Sequence, residues 1–550
     1  MTSAPLNPLH QGAAPLTEEW KPHYPGLGLP LREYSQSRFE FPFFPIGAHA
    51  SCYNSQSLPL PVREVAMMSV MDTLTDKAGW HIKINDETVV AQWRAEALAI
   101  PNMHWWQLAC NTEDESWHLE DYVKVPENIM SGDAFDCCIQ ELRSKARFFG
   151  ESGIIPTLDA HAVVAKSDSL VSTPLHESLL ACFDMLRADQ AGSPDWHPYS
   201  GDKVQNLVHP SLFPLVYNRT RGFKYDVVGV EDAISKWSGR GEILVGEEIW
   251  DPQGSERLDY DVADPVPPDL WSVNFQWLPS NVAFQADGTV RFTSYINNLH
   301  PNKYPRIYRA LEGLIETSLP MWDQCLKPVT DSNTVVGPGR NEGRFGVPKD
   351  PDDENCQNWD PSDPQLCSEA QINVDTLDRK LLEHDMDVEE GKRYLTNRKW
   401  EEVRKPVLPT PSFKDVDYGV KQGQRLFDKF RDSGLQVIVK MASIELTPEN
   451  PHFSPGSWHV EGQLNESICA TVLYYLDSKN VTESSLSFRM QTSLYLVDEE
   501  PGFRVGQDAY QWMNSIYGTQ FGSGAQGACL QTYGRVQTKE KRLLAFPNTL

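Results

Sequence analysis

The chain has 550 residues and a formal net charge of −27, with 40% hydrophobic and 23% charged residues. This is globular composition, long enough for more than one domain. Its acidity argues against nucleic acid and anionic membranes as partners. No apolar run reaches the roughly 18 residues of a spanning helix, and the N-terminus lacks the apolar core of a secretory signal. We therefore expect a soluble intracellular protein, cytoplasmic or nuclear, that acts on a small molecule or a peptide.

The first part of the chain predicts an arm followed by helices. Residues 1–35 are proline-rich and predict an extended or disordered arm. Residues 61–74 and 86–99 have helical periodicity, and acidic residues open the second segment as helix N-termini prefer. We predict a small helical N-terminal module over residues 36–100 and a main domain over residues 101–550.

The middle of the chain mixes helices with short strands. Residues 174–189 and 304–319 predict helices, the second with a clear apolar face. Residues 288–301 begin with glycine, alternate in polarity and end in His-Pro, which predicts a strand that enters a loop. Residues 327–370 are rich in Asp, Pro, Gly and Asn and predict a long surface insertion.

The last 120 residues change character, because β-rich segments separated by polar turns replace the mixture. The segments are 435–446, 467–477, 485–497 and 541–548. Strands without intervening helices favour an antiparallel sheet. The predicted fold class is therefore α+β, with a double-stranded β-helix (jelly-roll) core in the C-terminal part and helices packed around it.

Two His-x-Glu pairs stand out as candidate metal ligands. Fourteen histidines and 76 acidic residues in 550 positions predict about two such pairs by chance, and two occur: His118 with Glu120, and His459 with Glu461. Only the second pair lies between predicted strands. A histidine and a carboxylate two apart on a strand share one face, as the 2-His-1-carboxylate triad of non-haem Fe(II) oxygenases requires. We therefore select His459 and Glu461 as metal ligands.

The neighbouring segments suggest where a cosubstrate would bind. The stretch "ICATVLYYLD" resembles the central strand of 2-oxoglutarate oxygenases, where a tyrosine often faces the cosubstrate, so Tyr474 is a candidate contact. Arg489, on a predicted strand, could meet a carboxylate. No histidine follows His459; His300 and His452 are the upstream alternatives for a third ligand.

Other polar and aromatic residues have equally good structural explanations. Lys440 interrupts an apolar strand and can point into a pocket or into water. Asn297 and Asn298 suit a pocket rim or loop capping. Trp277 and Trp458 can wall a pocket or pack in the core.

Several long stretches resemble one uncharacterised, mostly fungal family, catalogued as domain of unknown function 4246. They include "LTDKAGWHIKINDETVVAQWRAEAL", "DWHPYSGDKVQNLVHPSLFPLVYNRTR", "FQWLPSNVAFQADGTVRFTSYINNLHP", "SWHVEGQLNESICATVLYYLDSKNVTESSLSFR" and "RLLAFPN". Members typically continue after "FPN" with a Gln-His-Arg stretch and a basic segment. The resemblance implies that the third ligand and the main cosubstrate anchor lie just beyond the end of this sequence, which we expect to be truncated.

The combined interpretation is a non-haem Fe(II)/2-oxoglutarate-dependent oxygenase that hydroxylates or otherwise oxidises a C–H bond, with Fe(II) on His459 and Glu461. Two alternatives stay open. The protein could be a catalytically inactive jelly-roll binding or scaffold protein, or a cupin-like metalloprotein that holds Zn or Mn.

Overall fold

The computed structural model describes residues 59–550 with gaps. The residues outside the description are 1–58, 111–123, 161, 224–227, 246–271, 327–343, 346–357, 368–372, 374–375, 377, 380, 383–384, 421, 424, 433, 455, 464–465, 467, 493–506 and 519–528. The predicted arm over residues 1–35 and the pair His118 and Glu120 lie outside the described residues, as does most of the predicted insertion.

Ten α-helices are described. They are α1 (Val62–Thr75), α2 (Trp80–Lys83), α3 (Glu87–Leu98), α4 (Asn102–Ala109), α5 (Gly132–Ser152), α6 (Thr173–Gln190), α7 (Pro305–Cys325), α8 (Val388–Val403), α9 (Leu426–Phe430) and α10 (Gln507–Tyr517). The four helices predicted at 61–74, 86–99, 174–189 and 304–319 are confirmed, within a few residues, as α1, α3, α6 and α7. Asp86 caps α3 by accepting the N–H groups of Thr88 and Val89, because the first N–H groups of a helix lack internal partners.

Seventeen strands are described. They are β1 (Ile155–Thr157), β2 (Val164–Ser167), β3 (Val204–Val208), β4 (Leu215–Val216), β5 (Arg221–Gly222), β6 (Glu242–Ile243), β7 (Phe275–Gln276), β8 (Ser280–Phe284), β9 (Val290–Phe292), β10 (Trp359–Asp360), β11 (Lys405–Pro406), β12 (Leu435–Val437), β13 (Met441–Ile444), β14 (Ala470–Tyr474), β15 (Ser484–Thr492), β16 (Cys529–Thr538) and β17 (Leu543–Pro547).

The strands form small antiparallel sheets rather than one large one. One sheet has the order β1-β2-β17-β14 and another the order β12-β8-β9, and the remaining described strands pair as β3–β13, β15–β16, β4–β7, β5–β6 and β10–β11. The class α+β is therefore confirmed. The described strands do not close into a barrel, so the finer prediction of a jelly-roll core is not confirmed.

The segment 435–446, predicted as one β-rich unit, divides between two sheets. Its first half is β12, which pairs with β8, and its second half is β13, which pairs with β3. The exposed Lys440 lies between the two halves, where the chain changes sheets. A continuous apolar pattern indicates that the whole segment packs against the interior, but it does not indicate which neighbouring strand each half pairs with.

The largest apolar core surrounds α1, which is buried on nearly all sides. Its polar side chains are buried with partners: Arg63 donates hydrogen bonds to the backbone oxygens of Asn128, Ile129, Leu408 and Pro409. A buried polar group needs such partners because its hydration is lost. The same core includes residues of α5, β15, β16 and β17, so the first helices and the C-terminal strands share one interior.

Two buried ion networks connect distant parts of the chain. In the first, Arg344 pairs with Glu64, Glu141 and Asp159, and Lys145 pairs with the last two of these acids. Arg344 belongs to the predicted surface insertion, yet only 2% of it is exposed. For this residue the prediction of a surface position is wrong, because three carboxylates in the interior need its charge.

The second network holds the strand β17 against α1 and β2. Arg542, directly before β17, pairs with Asp76 and Asp168, and Lys166 of β2 pairs with Asp72 and Asp76. Arg542 and Lys166 are both fully buried. These pairs therefore fix the position of the strand that leads to the candidate site.

Candidate functional site

The segment Ser457–Gly462 lies at one end of the four-stranded sheet. It precedes β14, and the first residue of β14, Ala470, pairs with Pro547 at the end of β17. Residues before β14 and residues after β17 therefore meet at the same end of this sheet. The segment itself is not a strand, so that part of the sequence prediction is wrong. Gly462 has a φ of +72°, which turns the chain away from an extended path.

The side chain of Asn548 holds this segment in place. Its Oδ1 accepts the N–H of Glu461 at 2.8 Å, and its Nδ2 donates to the carbonyl oxygens of Glu461 and Ile468 at 2.8 and 3.0 Å. Its own N–H donates to the carbonyl of Cys469. Asn548 is 1% exposed. The side chain of Asn548 thus makes the hydrogen bonds to the backbone of Glu461 that a neighbouring strand would make in a sheet.

The imidazole of His459 and the carboxylate of Glu461 point toward each other although no strand aligns them. His459 Nε2 lies 3.9 Å from Glu461 Oε1, and the side chains are 63% and 26% exposed. His459 Nδ1 lies 2.8 Å from the carbonyl oxygen of Ser457. A carbonyl oxygen only accepts hydrogen bonds, so Nδ1 carries a proton, and Nε2 is the ring nitrogen on the side of Glu461.

A second carboxylate, Glu466, secures the other end of the segment. Its two oxygens accept the N–H of Trp277 and the N–H of Gln463, each at 2.6 Å. Burial raises the pKa of Glu466, and the nearby Glu461 raises it further, while the two N–H donors oppose the shift. Glu466 therefore joins the candidate site to the strand β7, which ends just before Trp277.

Of the two predicted cosubstrate contacts, the structure places one beside the pair and the other away from it. The guanidinium carbon of Arg489 lies 4.0 Å from the ring centroid of Trp458, the residue next to His459. Tyr474 is at the opposite end of β14 from Ala470, roughly 13 Å along the strand. Its hydroxyl lies 2.8 Å from His176 Nδ1, and burial raises its pKa to about 12.

The two alternative third ligands, His300 and His452, are both exposed side chains. His300 is exposed, and its Nδ1 accepts the N–H of Lys303 within a turn. His452 is also exposed, and its carbonyl accepts a hydrogen bond from Lys203. Within the described residues, His, Cys, Asp and Glu side chains form no group of three or more that could hold a metal ion.

The two asparagines considered for a pocket rim have different environments. Asn297 is buried and donates to the carbonyl oxygens of Pro210 and Phe213, which supports the loop-capping explanation. Asn298 adopts a positive φ of 63°, a conformation that asparagine tolerates in turns.

A buried histidine near Trp277 was missed in the sequence. His209 follows β3 and is 6% exposed, with its ring centroid 5.4 Å from that of His197 and 6.4 Å from that of Trp277. Burial lowers the pKa of His209 to about 4, and Lys440 and His197 lower it further, while Asp195 opposes them. "LVHPSLFP" has no spacing that marks a site, so only the tertiary contacts identify this residue.

The fold and the site define an α+β protein with a His-x-Glu pair presented at the end of an antiparallel sheet. The family model described as "Protein of unknown function (DUF4246)" matches residues 132–550, and the model "Domain of unknown function DUF4246, N-terminal" matches residues 24–96. The chain belongs to this family. No protein with a curated description and no solved structure matches it.

No helix in the described part of the chain is both long enough and apolar enough to cross a membrane.

Proposed function

We propose that this protein is a non-haem Fe(II)/2-oxoglutarate-dependent oxygenase that oxidises a C–H bond of a small-molecule or peptide substrate. His459 and Glu461 would hold the iron, and Arg489 would lie close to the carboxylate of the cosubstrate or substrate. Tyr474 has no part in the proposal, because its hydroxyl is shared with His176 at the far end of β14.

The observation that carries the proposal is the hydrogen bond from His459 Nδ1 to the carbonyl oxygen of Ser457. Histidines that bind metals usually donate their second ring N–H to a carbonyl or carboxylate, which fixes the tautomer and the orientation of the ring. The bond leaves Nε2 as the metal-binding atom on the side of Glu461.

The distance between the two side chains suits a single ion. Nitrogen and oxygen ligands lie about 2.0–2.2 Å from a divalent transition metal, so one ion can contact two atoms up to about 4.2 Å apart. His459 Nε2 and Glu461 Oε1 are 3.9 Å apart, and a cis arrangement, with about 3 Å between the two atoms, would bring them closer by about 1 Å. Bound there, Fe(II) would supply open positions for 2-oxoglutarate and O₂.

The proposal needs a third ligand from outside the described residues. Asn548 lies against Glu461, so a residue that follows β17 arrives at this edge of the sheet. We propose that a histidine outside the described residues supplies this ligand and that the sheets containing β14 and β17 form part of a jelly roll.

Metal binding by the present chain tests the proposed ligands directly. Metal-free protein is titrated with Co(II), and with Fe(II) plus 2-oxoglutarate without oxygen, while visible spectra are recorded. We expect His459→Ala to weaken Co(II) binding by more than the roughly 10- to 100-fold that loss of a residue orienting a ligand costs, and to abolish a charge-transfer band with Fe(II) and 2-oxoglutarate. His104→Ala, which removes an exposed histidine of α4, is the control and should behave as wild type.

The other outcomes separate the alternatives. Equal metal binding by wild type and His459→Ala would overturn the assignment of the ligands. Binding of Zn or Mn at His459 without any response to 2-oxoglutarate would favour a cupin-like metalloprotein. Absence of metal binding altogether would favour the binding or scaffold protein.

A further inference from the structure

The most unusual polar group outside the His-x-Glu pair is the imidazole of His209. Its Nδ1 accepts the N–H of Ser211 at 3.2 Å, so the proton of the neutral ring is on Nε2. Nε2 is buried and has no hydrogen-bond partner among the described residues. Buried donors are nearly always partnered, so an orphaned one calls for an explanation such as a ligand.

The sheet places a positive charge beside this donor. In the antiparallel pair β3–β13, Met441 is opposite Val208. The ladder ends at this pair, and Lys440 and His209 are the next residues along the two chains, directly before β13 and directly after β3. Lys440 is exposed, and its charge is near enough to lower the pKa of His209.

The remaining groups around His209 define the chemistry of its partner. His197 lies on one side and the partly exposed Trp277 on the other, with the indole N–H donated to Ser211 Oγ at 2.9 Å. Asp195, the acid in this group, is engaged by the amide of Asn206. A neutral N–H donor, an ammonium group and an aromatic ring together suit a carboxylate attached to an apolar group.

We infer that His209 and Lys440 form a carboxylate-binding site, with His209 Nε2 donating to a ligand oxygen and Lys440 supplying the charge. The ligand is an organic acid whose apolar part contacts Trp277. The backbone N–H of Trp277 donates a hydrogen bond to Glu466, which lies near Glu461, so this site neighbours the proposed metal site. The identification of this acid as the substrate of the oxygenase rests on the proposed function. The binding of a carboxylate at His209 and Lys440 does not depend on it.

Binding of benzoate, compared with its neutral analogue benzamide, tests the inference. Titration calorimetry with a metal chelator present keeps the result independent of His459 and Glu461. We expect benzoate to bind at least about tenfold more tightly than benzamide, because a hydrogen bond to a charged group is lost in the amide. Equal affinity for the two compounds, or no benzoate binding, would overturn the inference while leaving the Co(II) result intact.

Variants at the two residues locate the binding. We expect His209→Leu to weaken benzoate binding about 10- to 100-fold, and His209→Gln, whose amide can donate from a similar position, to recover part of it. Lys440→Met should cause a smaller loss that disappears at high salt, because its charge is exposed to screening. The control Lys479→Met removes another exposed lysine, which pairs with Asp477, and should change nothing.

An unchanged affinity in a folded His209→Leu protein would refute the role of this residue. If that variant fails to fold, Lys440→Met decides instead: its exposed position tolerates the change, and wild-type affinity at low salt would refute the site.

Discussion

The buried network around Arg344 and the candidate site at His459 use similar side chains in opposite ways. In the network, Arg344 is buried and pairs with Glu64, Glu141 and Asp159, and the buried Lys145 pairs with the last two of these acids. At the site, His459 is largely exposed and its Nε2 faces a single carboxylate at 3.9 Å. Ion pairs between buried charges stabilise the fold, whereas the partly exposed side chains of His459 and Glu461 are accessible from solvent.

The pKa values of Lys145 and Arg344 reflect their burial and their ion pairs. Burial alone would lower the pKa of Lys145, but Asp159 and Glu141 outweigh it and raise the value. Burial lowers the pKa of Arg344 to about 10, which leaves it charged at neutral pH. Breaking this network should therefore change stability, while changes near His459 should change binding.

The largest expected effect is the loss of Arg344. In Arg344→Met, the buried carboxylates of Glu64, Glu141 and Asp159 lose the cation that they share, and removing one partner of a buried ion network costs about 3–5 kcal/mol of unfolding free energy. The measurement is urea denaturation. Arg398→Met is the matched control, because Arg398 pairs with Glu401 on the surface of α8 at 3.7 Å and such pairs contribute about 0–1 kcal/mol. Similar losses in both variants would contradict the comparison.

The second network should make stability depend on acid. Burial alone would raise the pKa of Asp76, but Lys166 and Arg542 hold it below its usual value. A depressed pKa in the folded state contributes stability above the unfolded value of about 3.9, and that contribution is lost as the pH falls through the folded value.

Asp76→Asn tests this dependence. We expect the variant to be less stable than wild type by about 1–3 kcal/mol at pH 7, because hydrogen bonds to charged groups are weakened. The difference should shrink as the pH falls through the depressed pKa of wild-type Asp76, because the wild-type carboxyl then becomes uncharged as well. Denaturation curves between pH 2 and pH 7 measure it, and a difference that is independent of pH would refute the role of the charge.

A smaller effect is expected at the clamp of the candidate site. Asn548→Leu removes the three hydrogen bonds that hold Glu461 and Ile468, so Co(II) affinity should fall about tenfold, as for other residues that orient metal ligands. Asn297→Leu is a matched control, since Asn297 is also a buried asparagine and its side chain holds a different loop. It should lose stability without losing metal affinity, and a parallel loss in both variants would show a general effect of unfolding.

The smallest effect concerns the stacking of Arg489 on Trp458. An exposed cation–π contact contributes about 0.5–1 kcal/mol, and Trp458 is 46% exposed. A double-mutant cycle with Trp458→Leu and Arg489→Met should give a coupling energy in that range. A coupling of zero would show that the two side chains are neighbours without an energetic link.

Some of this protein could be predicted from local sequence. The helices α1, α3, α6 and α7 were predictable because apolar periodicity and capping residues act within a few positions of each other. The approximate positions of β9, β14 and β17 were predictable for the same reason. The pair of His459 and Glu461 was selected by its place between β-rich segments, although the strand geometry assumed for it was wrong.

The sequence by itself determined several of the helical and extended segments, the net negative charge, and membership of the family through long matching stretches. Only the tertiary structure decided that Arg344 is buried, that Asn548 makes the hydrogen bonds to Glu461 that a neighbouring strand would make, and that Lys440 lies near His209. The reason is physical: helical periodicity and caps depend on neighbours a few residues away. Ion networks, side-chain clamps and cross-strand pairs join residues tens to hundreds of positions apart, and no local pattern encodes those partners.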